Sequence, residues 1–156
     1  MQRPMRRQER QMEPQQAHKL LEECEYAVLT TVDPEGEPHS VPISPVVEGD
    51  RLYFHCAHQG EKLDNIRKNP QVSLCAVTGV RLQPAAFTTA YQSVVAQGRA
   101  RVAQGEERRQ ALLHICRKFA PGQQDRWEEE IAKFPNTTVV CVELTRVTGK
   151  QNGSQA

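Results

Sequence analysis

Apolar residues recur at helical spacing in four parts of the chain. Ala17, Leu20, Leu21 and Cys24 follow an i, i+3, i+4, i+7 pattern, which places them on one face of a helix. Three further stripes have the same period, and a proline follows each within a few residues. Their apolar members are Leu63 and Ile66; Leu112, Ile115, Cys116 and Phe119; and Trp127, Ile131 and Phe134. The pattern predicts four helices with these residues facing inward.

Six other segments are rich in β-branched residues, which is the composition of strands. They are residues 26–32, 39–47, 51–56, 71–77, 88–102 and 137–147. Turn-forming residues follow the first two segments, so the early connections are predicted to be hairpins. Gly98, inside the fifth segment, indicates a bulge or a bend. Residues 79–87 are predicted to be irregular.

Six strands with helices inserted between them predict a mainly β fold, an antiparallel barrel with flanking helices. A length of 156 residues corresponds to one domain. We assign residues 14–150 to that domain, 1–13 to a flexible arm rich in Arg and Gln, and 151–156 to a flexible polar tail. Pro42 and Pro45 cannot donate ladder hydrogen bonds, so their segment lies at an edge, contains a bulge, or faces something other than a neighbouring strand.

Charge and composition narrow the possible partners. The net charge is +1 at pH 7, without the basic excess of a nucleic-acid-binding domain, and we interpret the arm as solvated or packed on a partner subunit. Only four Phe, three Tyr and one Trp are available for a core. The chain is therefore expected to bury surface against a second copy or a cofactor.

The same composition predicts a cytoplasmic protein. No apolar run approaches the roughly 18 residues of a membrane span, and the charged start of the chain is not a secretory signal. Five cysteines at irregular spacing, without a C-x-x-C pair, do not suggest a disulfide framework and indicate a reducing compartment. Most of them fall on apolar stripes or in strands, where cysteine acts as a small hydrophobe.

Residues 55–62, H-C-A-H-Q-G-E-K, are the first candidate for a binding site. A strand ends there, Ala57 and Gly60 allow close backbone approach, and Lys62 follows at the start of a helix, where an anion such as phosphate is favoured. The alternative is a plain strand-to-helix turn with a solvated lysine. His55 and its neighbours lack a second paired element, so no metal site is predicted.

Taken together, several segments resemble the FMN-binding split-barrel superfamily of pyridoxamine 5'-phosphate oxidase-like proteins, and within it the 5-nitroimidazole-resistance family. The resemblance lies in M-R-R-Q-E-R (5–10), T-V-D-P-E-G-E-P-H-S-V-P-I-S (31–44), R-L-Y-F-H-C-A-H-Q-G-E-K-L-D-N-I-R-K-N-P (51–70), Y-Q-S-V-V-A-Q-G-R-A (91–100) and V-T-G-K (147–150). These pieces span nearly the whole chain in the expected order.

The resemblance implies a six-stranded split-barrel homodimer with flavin mononucleotide (FMN) at the subunit interface. Lys62 matches the lysine that pairs with the FMN phosphate, and His55 is a candidate polar group on the substrate side. The flavin itself carries the chemistry, so no catalytic residue is assigned. The implied cofactor-binding residues are Val41, Pro42, Ile43, Ser44, His55, Ala57, Lys62, Gln92 and Ser93.

Two residues depart from the family pattern. Relatives often carry a basic residue where this chain has Glu61 and Gln92, and both changes reduce the positive charge around the phosphate. Three functions follow from the resemblance: an FMN-dependent oxidoreductase that reduces a small compound such as a nitroaromatic, a flavin- or haem-binding protein without turnover, and a dimeric module without a cofactor. The chain has no G-x-G-x-x-G motif for a nicotinamide nucleotide.

Overall fold

Four α-helices form at the four apolar stripes. The structure, a computed structural model, describes residues 4–133 and 135–153. The α-helices in these ranges are α1 (Pro14–Glu23), α2 (Glu61–Lys68), α3 (Gly105–Phe119) and α4 (Trp127–Lys133), and short 3-10 turns are Gln8–Arg10, Pro84–Ala86 and Gln124–Arg126. The predicted inward position of Phe119 is wrong, because it is the last residue of α3 and is 40% exposed. Phe134, predicted to face inward from the last helix, lies outside the described residues.

One antiparallel sheet contains every strand of the described residues. The strands are β1 (Ala27–Val32), β2 (Pro38–Ile43), β3 (Val46–Glu48), β4 (Arg51–Ala57), β5 (Gln71–Gln83), β6 (Thr88–Ala103) and β7 (Thr137–Asn152). Their order is β2-β1-β5-β6-β7-β4-β3, so β2 and β3 are the two ends of the sheet. The predicted mainly β, antiparallel architecture with flanking helices is confirmed.

The sheet has seven strands, where the sequence predicted six. The single strand predicted for residues 39–47 is divided, because β2 ends at Ile43 and β3 begins at Val46. Ser44 and Pro45 form the corner between them. A proline supplies no N–H to a ladder, so this corner is a natural place for the chain to leave one strand pairing and enter another. β2 then pairs with β1, and β3 pairs with β4.

The segment predicted to be irregular, residues 79–87, is largely strand. β5 continues to Gln83 and pairs with the beginning of β6, forming a long hairpin that turns at Pro84–Ala86. The register shifts between Thr78 and Arg81, which breaks the alternation that would have indicated a strand. Asn152 braces the hairpin from β7, because its amide donates 3.1 Å and 2.7 Å hydrogen bonds to Thr88 Oγ1 and the carbonyl of Thr89.

The inner face of the sheet forms the main hydrophobic core with α1 and α2. Alternate strand residues such as Phe54 and Leu74 are buried together with Leu21 of α1 and Leu63 of α2. Each fully buried side chain of this size stabilises the fold by roughly 1.5–3 kcal/mol. Burial of these helix faces confirms the inward positions predicted for α1 and α2.

Two strand glycines permit close approach of backbone to neighbouring groups. A Cβ on Gly149 would lie 2.7 Å from the Ala17 Cβ and 2.9 Å from Met12, so this glycine lets α1 pack directly on β7. A Cβ on Gly98 would lie 2.4 Å from the Glu143 carbonyl oxygen. The β6–β7 register shifts at Gly98, which confirms the predicted bulge.

The packed part of the chain extends beyond the predicted boundaries 14 and 150. Gln11 forms a bridge with Lys150, and Met12 is buried in the main core with only 4% of its surface exposed. β7 continues to Asn152, so residues 151 and 152 belong to the sheet. Both corrections have one cause, because Gln11 and Met12 lie against the last residues of β7. Residues 1–3 and 154–156 of the predicted arm and tail lie outside the described residues.

Candidate cofactor site at the open edge of the sheet

β2 offers an unpaired backbone edge. It lies at the end of the sheet order and pairs only with β1, so the backbone groups on its other side point away from any strand, although Pro42 has no N–H. Of the three positions that the sequence allowed for Pro42, the structure shows the edge strand. Val41 and Ile43 turn their side chains to the core, whereas Pro42 is exposed. The free backbone of β2 is available to a ligand that carries its own donors and acceptors.

A lysine from α3 fixes the corner that follows β2. Lys118 Nζ donates 2.7 Å hydrogen bonds to the carbonyls of Pro45 and Cys24, which joins the end of α3 to the β2–β3 corner and to the end of α1. Burial lowers the pKa of Lys118, and the nearby Cys24 and Glu22 oppose that effect. Ser44, in the same corner, is exposed.

Three further predicted site residues lie at the end of β4 and the start of α2. His55 and Ala57 are exposed on the outer face of β4, opposite Val139 and Thr137 of β7. Lys62, the second residue of α2, is half-buried. Burial raises the pKa of the Cys56 thiol, and Lys62 opposes this rise, so the ammonium acts on the end of β4.

A histidine that the sequence did not single out links β2 to α2. His39 Nδ1 lies 3.1 Å from Glu61 Oε1, at the first residue of α2. Behind this pair, the Asn65 amide donates a 3.1 Å hydrogen bond to Thr31 Oγ1, and both side chains are buried. Residues 39 and 61 are 22 positions apart, and they meet because β2 pairs with β1 and α2 packs on β1. No sequence periodicity would have found this contact.

The structure does not bring Gln92 and Ser93 to the same place as Lys62. Ser40, next to His39, lies in register with Thr30, Ser73 and Gln97, and Ser93 is four residues, about 14 Å, further along β6. Ser93 donates a 3.4 Å hydrogen bond to the carbonyl of Lys150. A single chain therefore presents the predicted site residues in two separate groups.

Two cavities lie beside predicted residues. The larger, about 580 Å³, lies between α1 and the base of the β5–β6 hairpin and includes Gln92 in its wall. The smaller, about 220 Å³, lies beneath α3 and α4 with His55 at its margin. Its remaining wall is mostly apolar and comprises Leu112, Ile115, Cys116, Glu130, Ile131 and Thr137.

The cysteines are not arranged as activated nucleophiles. All five are free thiols, and burial raises the pKa of four of them, Cys24, Cys56, Cys116 and Cys141. A thiol with a raised pKa is protonated at neutral pH and is a poor nucleophile. Within residues 4–133 and 135–153, no three His, Cys, Asp or Glu side chains come together as a metal ion would require. Over the same ranges, the helices are too short or too polar to cross a membrane.

The residues present fit a flavin nucleotide in their chemistry. The free β2 edge matches the carbonyl and N–H groups of a flavin ring, and the ammonium of Lys62 at the start of α2 matches a phosphate. Gly60, just before the helix, has a φ of 142° and leaves open space where a Cβ would stand, so the backbone is accessible to an anion. In one chain, the β2 edge that matches the ring lies next to Lys62, which matches the phosphate. Gln92 and Ser93 lie apart from both.

Three solved structures share this fold. The first, a Bacteroides thetaiotaomicron protein assigned to 5-nitroimidazole antibiotic resistance, has a TM-score of 0.74 and 24% identity over 90% of this chain and 86% of that one. A conserved hypothetical protein of Mycobacterium tuberculosis has a TM-score of 0.80 and 14% identity, over 98% of this chain and 96% of that one. The FAD- and haem-binding protein of Mycobacterium smegmatis has a TM-score of 0.77 and 19% identity, over 93% of this chain and 74% of that one. At these identities the likeness shows the fold alone.

The sequence itself also matches a family model. No curated protein matches this chain. The model described as pyridoxamine 5'-phosphate oxidase, however, matches residues 13–151, which include all of β1–β6, the four helices and nearly all of β7. The chain therefore belongs to the pyridoxamine 5'-phosphate oxidase family, whose fold is the flavin-binding split barrel.

Proposed function

We propose that this protein is an FMN-dependent oxidoreductase that acts on a small molecule, with nitroaromatic compounds as the candidate substrate class. The observation that carries the proposal is the unpaired edge of β2 next to Lys62 at the start of α2. When bound, the flavin supplies the redox chemistry, and the protein supplies position and charge. The Bacteroides thetaiotaomicron neighbour assigned to 5-nitroimidazole resistance supports the substrate class.

Each group of residues has a distinct task in this proposal. Backbone groups of Val41 to Ser44 hold the edge of the ring, and Lys62 pairs with the phosphate. The small Ala57 leaves room beside the phosphate, and His55 provides a polar group for the substrate. The cavity of about 220 Å³ at His55 has room for a molecule of roughly one ring.

The proposed assembly is a homodimer with FMN at the interface. Gln92 and Ser93 do not lie beside Lys62 in one chain, and we assign them to the FMN bound by the partner subunit. An apolar strip on the outer face of the sheet supports this arrangement. Its members are exposed although they are large and hydrophobic: Val28, Val77, Leu82 and Val95. Exposed apolar surface of this kind marks an interaction site in a protein of this size.

A non-catalytic binding protein is the second candidate. The Mycobacterium smegmatis neighbour binds FAD and haem, and an exposed histidine such as His55 is a common haem ligand. Anaerobic turnover separates the two functions. An oxidoreductase oxidises NAD(P)H in the presence of a nitro compound, whereas a storage protein binds its cofactor without turnover.

Lys62→Ala tests the cofactor site directly. The variant loses one charge-assisted contact to the phosphate, typically about 1.5–3 kcal/mol, so the FMN affinity should fall roughly 10- to 150-fold. Lys68→Ala is the matched control, because Lys68 is an exposed residue in the last turn of the same helix. Fluorescence quenching of FMN measures both affinities. Unchanged affinity in Lys62→Ala would mean that this segment is only a turn.

A further inference from the structure

Glu61 poses an electrostatic difficulty for the proposed phosphate site. It is the first residue of α2 and immediately precedes Lys62. A carboxylate at a helix N-terminus interacts favourably with the same partial positive charge that would attract a phosphate, and it repels the phosphate itself. A site with one lysine and one free carboxylate would have little net attraction for a dianion.

The contact with His39 removes much of this difficulty. His39 Nδ1 lies 3.1 Å from Glu61 Oε1, and the imidazole comes from β2, not from the helix itself. The carboxylate is therefore drawn toward the sheet. Asp64, the other acid of the first turn, is engaged by Arg67 at 3.1 Å. Among the described residues, no acid forms an ion pair with Lys62, since the nearby Glu61 faces His39 and Asp64 faces Arg67.

The packing behind the His39–Glu61 pair fixes the position of α2 relative to β1 and β2. The Asn65 amide donates to Thr31 Oγ1 at 3.1 Å, and this hydroxyl lies 3.5 Å from the backbone carbonyl of His39. Thr31 and Asn65 are 0% and 4% exposed, so the link between α2 and the β1–β2 pair is buried. A buried, satisfied polar link fixes one relative position of two elements more firmly than apolar contact alone. The first turn of α2 is thus held against β2.

We propose that His39 is a positioning residue of the phosphate site, which holds the Glu61 carboxylate away from the phosphate so that Lys62 can bind it. The inference rests on the proposed function, because it concerns the same FMN site. It adds a residue to which the family resemblance assigned no role at this site, and it explains how the chain combines an acid at position 61 with an anionic ligand.

The test is a double-mutant cycle at His39 and Glu61 with two ligands. His39→Ala frees the carboxylate, so the FMN dissociation constant should rise about 10-fold through like-charge repulsion. Riboflavin, which lacks the phosphate, should bind with unchanged affinity. Glu61→Gln in the His39→Ala background removes the freed charge and should restore FMN affinity to within about two-fold of the wild type.

A second histidine–glutamate pair provides the control. His18 Nδ1 lies 3.0 Å from Glu22 Oε1 on α1, remote from α2, and His18→Ala should leave FMN affinity unchanged. Three results would overturn the inference: unchanged FMN affinity in His39→Ala, equal weakening of FMN and riboflavin, or no recovery in the double variant. Failure of the wild type to bind FMN would instead overturn the proposed function, so the two failures are distinguishable.

Discussion

The two halves of the outer face of the sheet have similar sequences and opposite environments. At the β4–β7 end, Tyr53, Val139 and Cys141 are almost completely buried beneath α3. At the β1–β5–β6 end, Val28, Val95 and Val77 point to the same side of the same sheet, yet 36%, 39% and 50% of their surfaces are exposed. We call these the covered half and the bare half.

The difference between the halves lies in what packs on them, because both present apolar side chains on the outer face of the sheet. The inner faces beneath both halves belong to one core. In the covered half, Leu112 and Ile115 of α3 complete a second core. The described residues provide no helix that performs this task for the bare half. We infer that the bare half is completed by a second subunit, and that the covered half stabilises each subunit by itself.

A polar cluster in the covered half joins α3 to β4 and β6. Arg101 donates 2.7 Å and 2.9 Å hydrogen bonds to the two carboxylate oxygens of Glu107, and Tyr53 donates a third at 3.1 Å. The Arg101 hydrogen bonds lower the pKa of Glu107 to about 2, and burial raises the pKa of Tyr53 to about 12. All three groups therefore remain in the protonation states that maintain these bonds at neutral pH.

The largest expected effect is on the covered half. Ile115→Ala removes a side chain that is 6% exposed, so the free energy of unfolding should fall by roughly 2–5 kcal/mol. Because this core lies within one chain, the loss should not depend on protein concentration. Chemical denaturation measures it, with Phe119→Ala as the control at an exposed position of the same helix. A loss below about 1 kcal/mol would show that α3 does not hold this half.

The next effect concerns association through the bare half. Val77→Asp places a charge where we expect subunit contact, so the dimer dissociation constant should rise by on the order of 100-fold. The far-UV circular dichroism should not change, because Val77 is half exposed in the single chain. Val77→Thr, which keeps the shape without a charge, should associate nearly normally. Analytical ultracentrifugation would contradict the account if Val77→Asp associated as the wild type does.

The smallest effect is a pH dependence that arises from the polar cluster in the covered half. A carboxyl whose pKa is lowered in the folded state stabilises the fold above its ordinary pKa of 4.5, and this contribution is lost as the pH falls toward 2. Melting temperatures of the wild type should decline over this range, and Glu107→Gln should decline less steeply. Glu106→Gln, at an exposed neighbouring acid, is the control. Parallel profiles for the wild type and Glu107→Gln would contradict the lowered pKa.

Local patterns predicted the elements of both halves well. Valine-rich segments formed strands, Pro42 lies on an edge strand, and Gly98 lies at a bulge. The secondary-structure predictions were wrong at residues whose local pattern is compatible with two different structures. Pro45 ends one pairing and precedes another, which divided a predicted strand in two. The register shift near Thr78 interrupted the alternation of the long β5–β6 hairpin, so a strand was predicted as irregular.

The candidate site was predictable only in part. Lys62 at a helix start and the free edge of β2 followed from local residues and from the family resemblance. The His39–Glu61 contact depends on strand pairing between distant segments, for which the sequence has no periodic signal. The separation of Gln92 and Ser93 from Lys62 likewise depends on strand register, since Ser93 lies four residues along β6 from the residue in register with Ser40. The sequence also does not distinguish the buried valines of the covered half from the exposed valines of the bare half. Their burial depends on whether a helix from elsewhere in the chain packs on them.

The molar mass of the FMN-loaded protein tests the central claim most directly. Light scattering at micromolar concentration, with simultaneous flavin absorbance, measures the mass and the flavin content of the same species. The account predicts about 35 kDa, twice the 17.6 kDa of one chain, with one FMN per subunit. A folded species of 17.6 kDa that retains stoichiometric FMN would contradict it, because the bare half and the partner's Gln92 and Ser93 would then be unnecessary for the site.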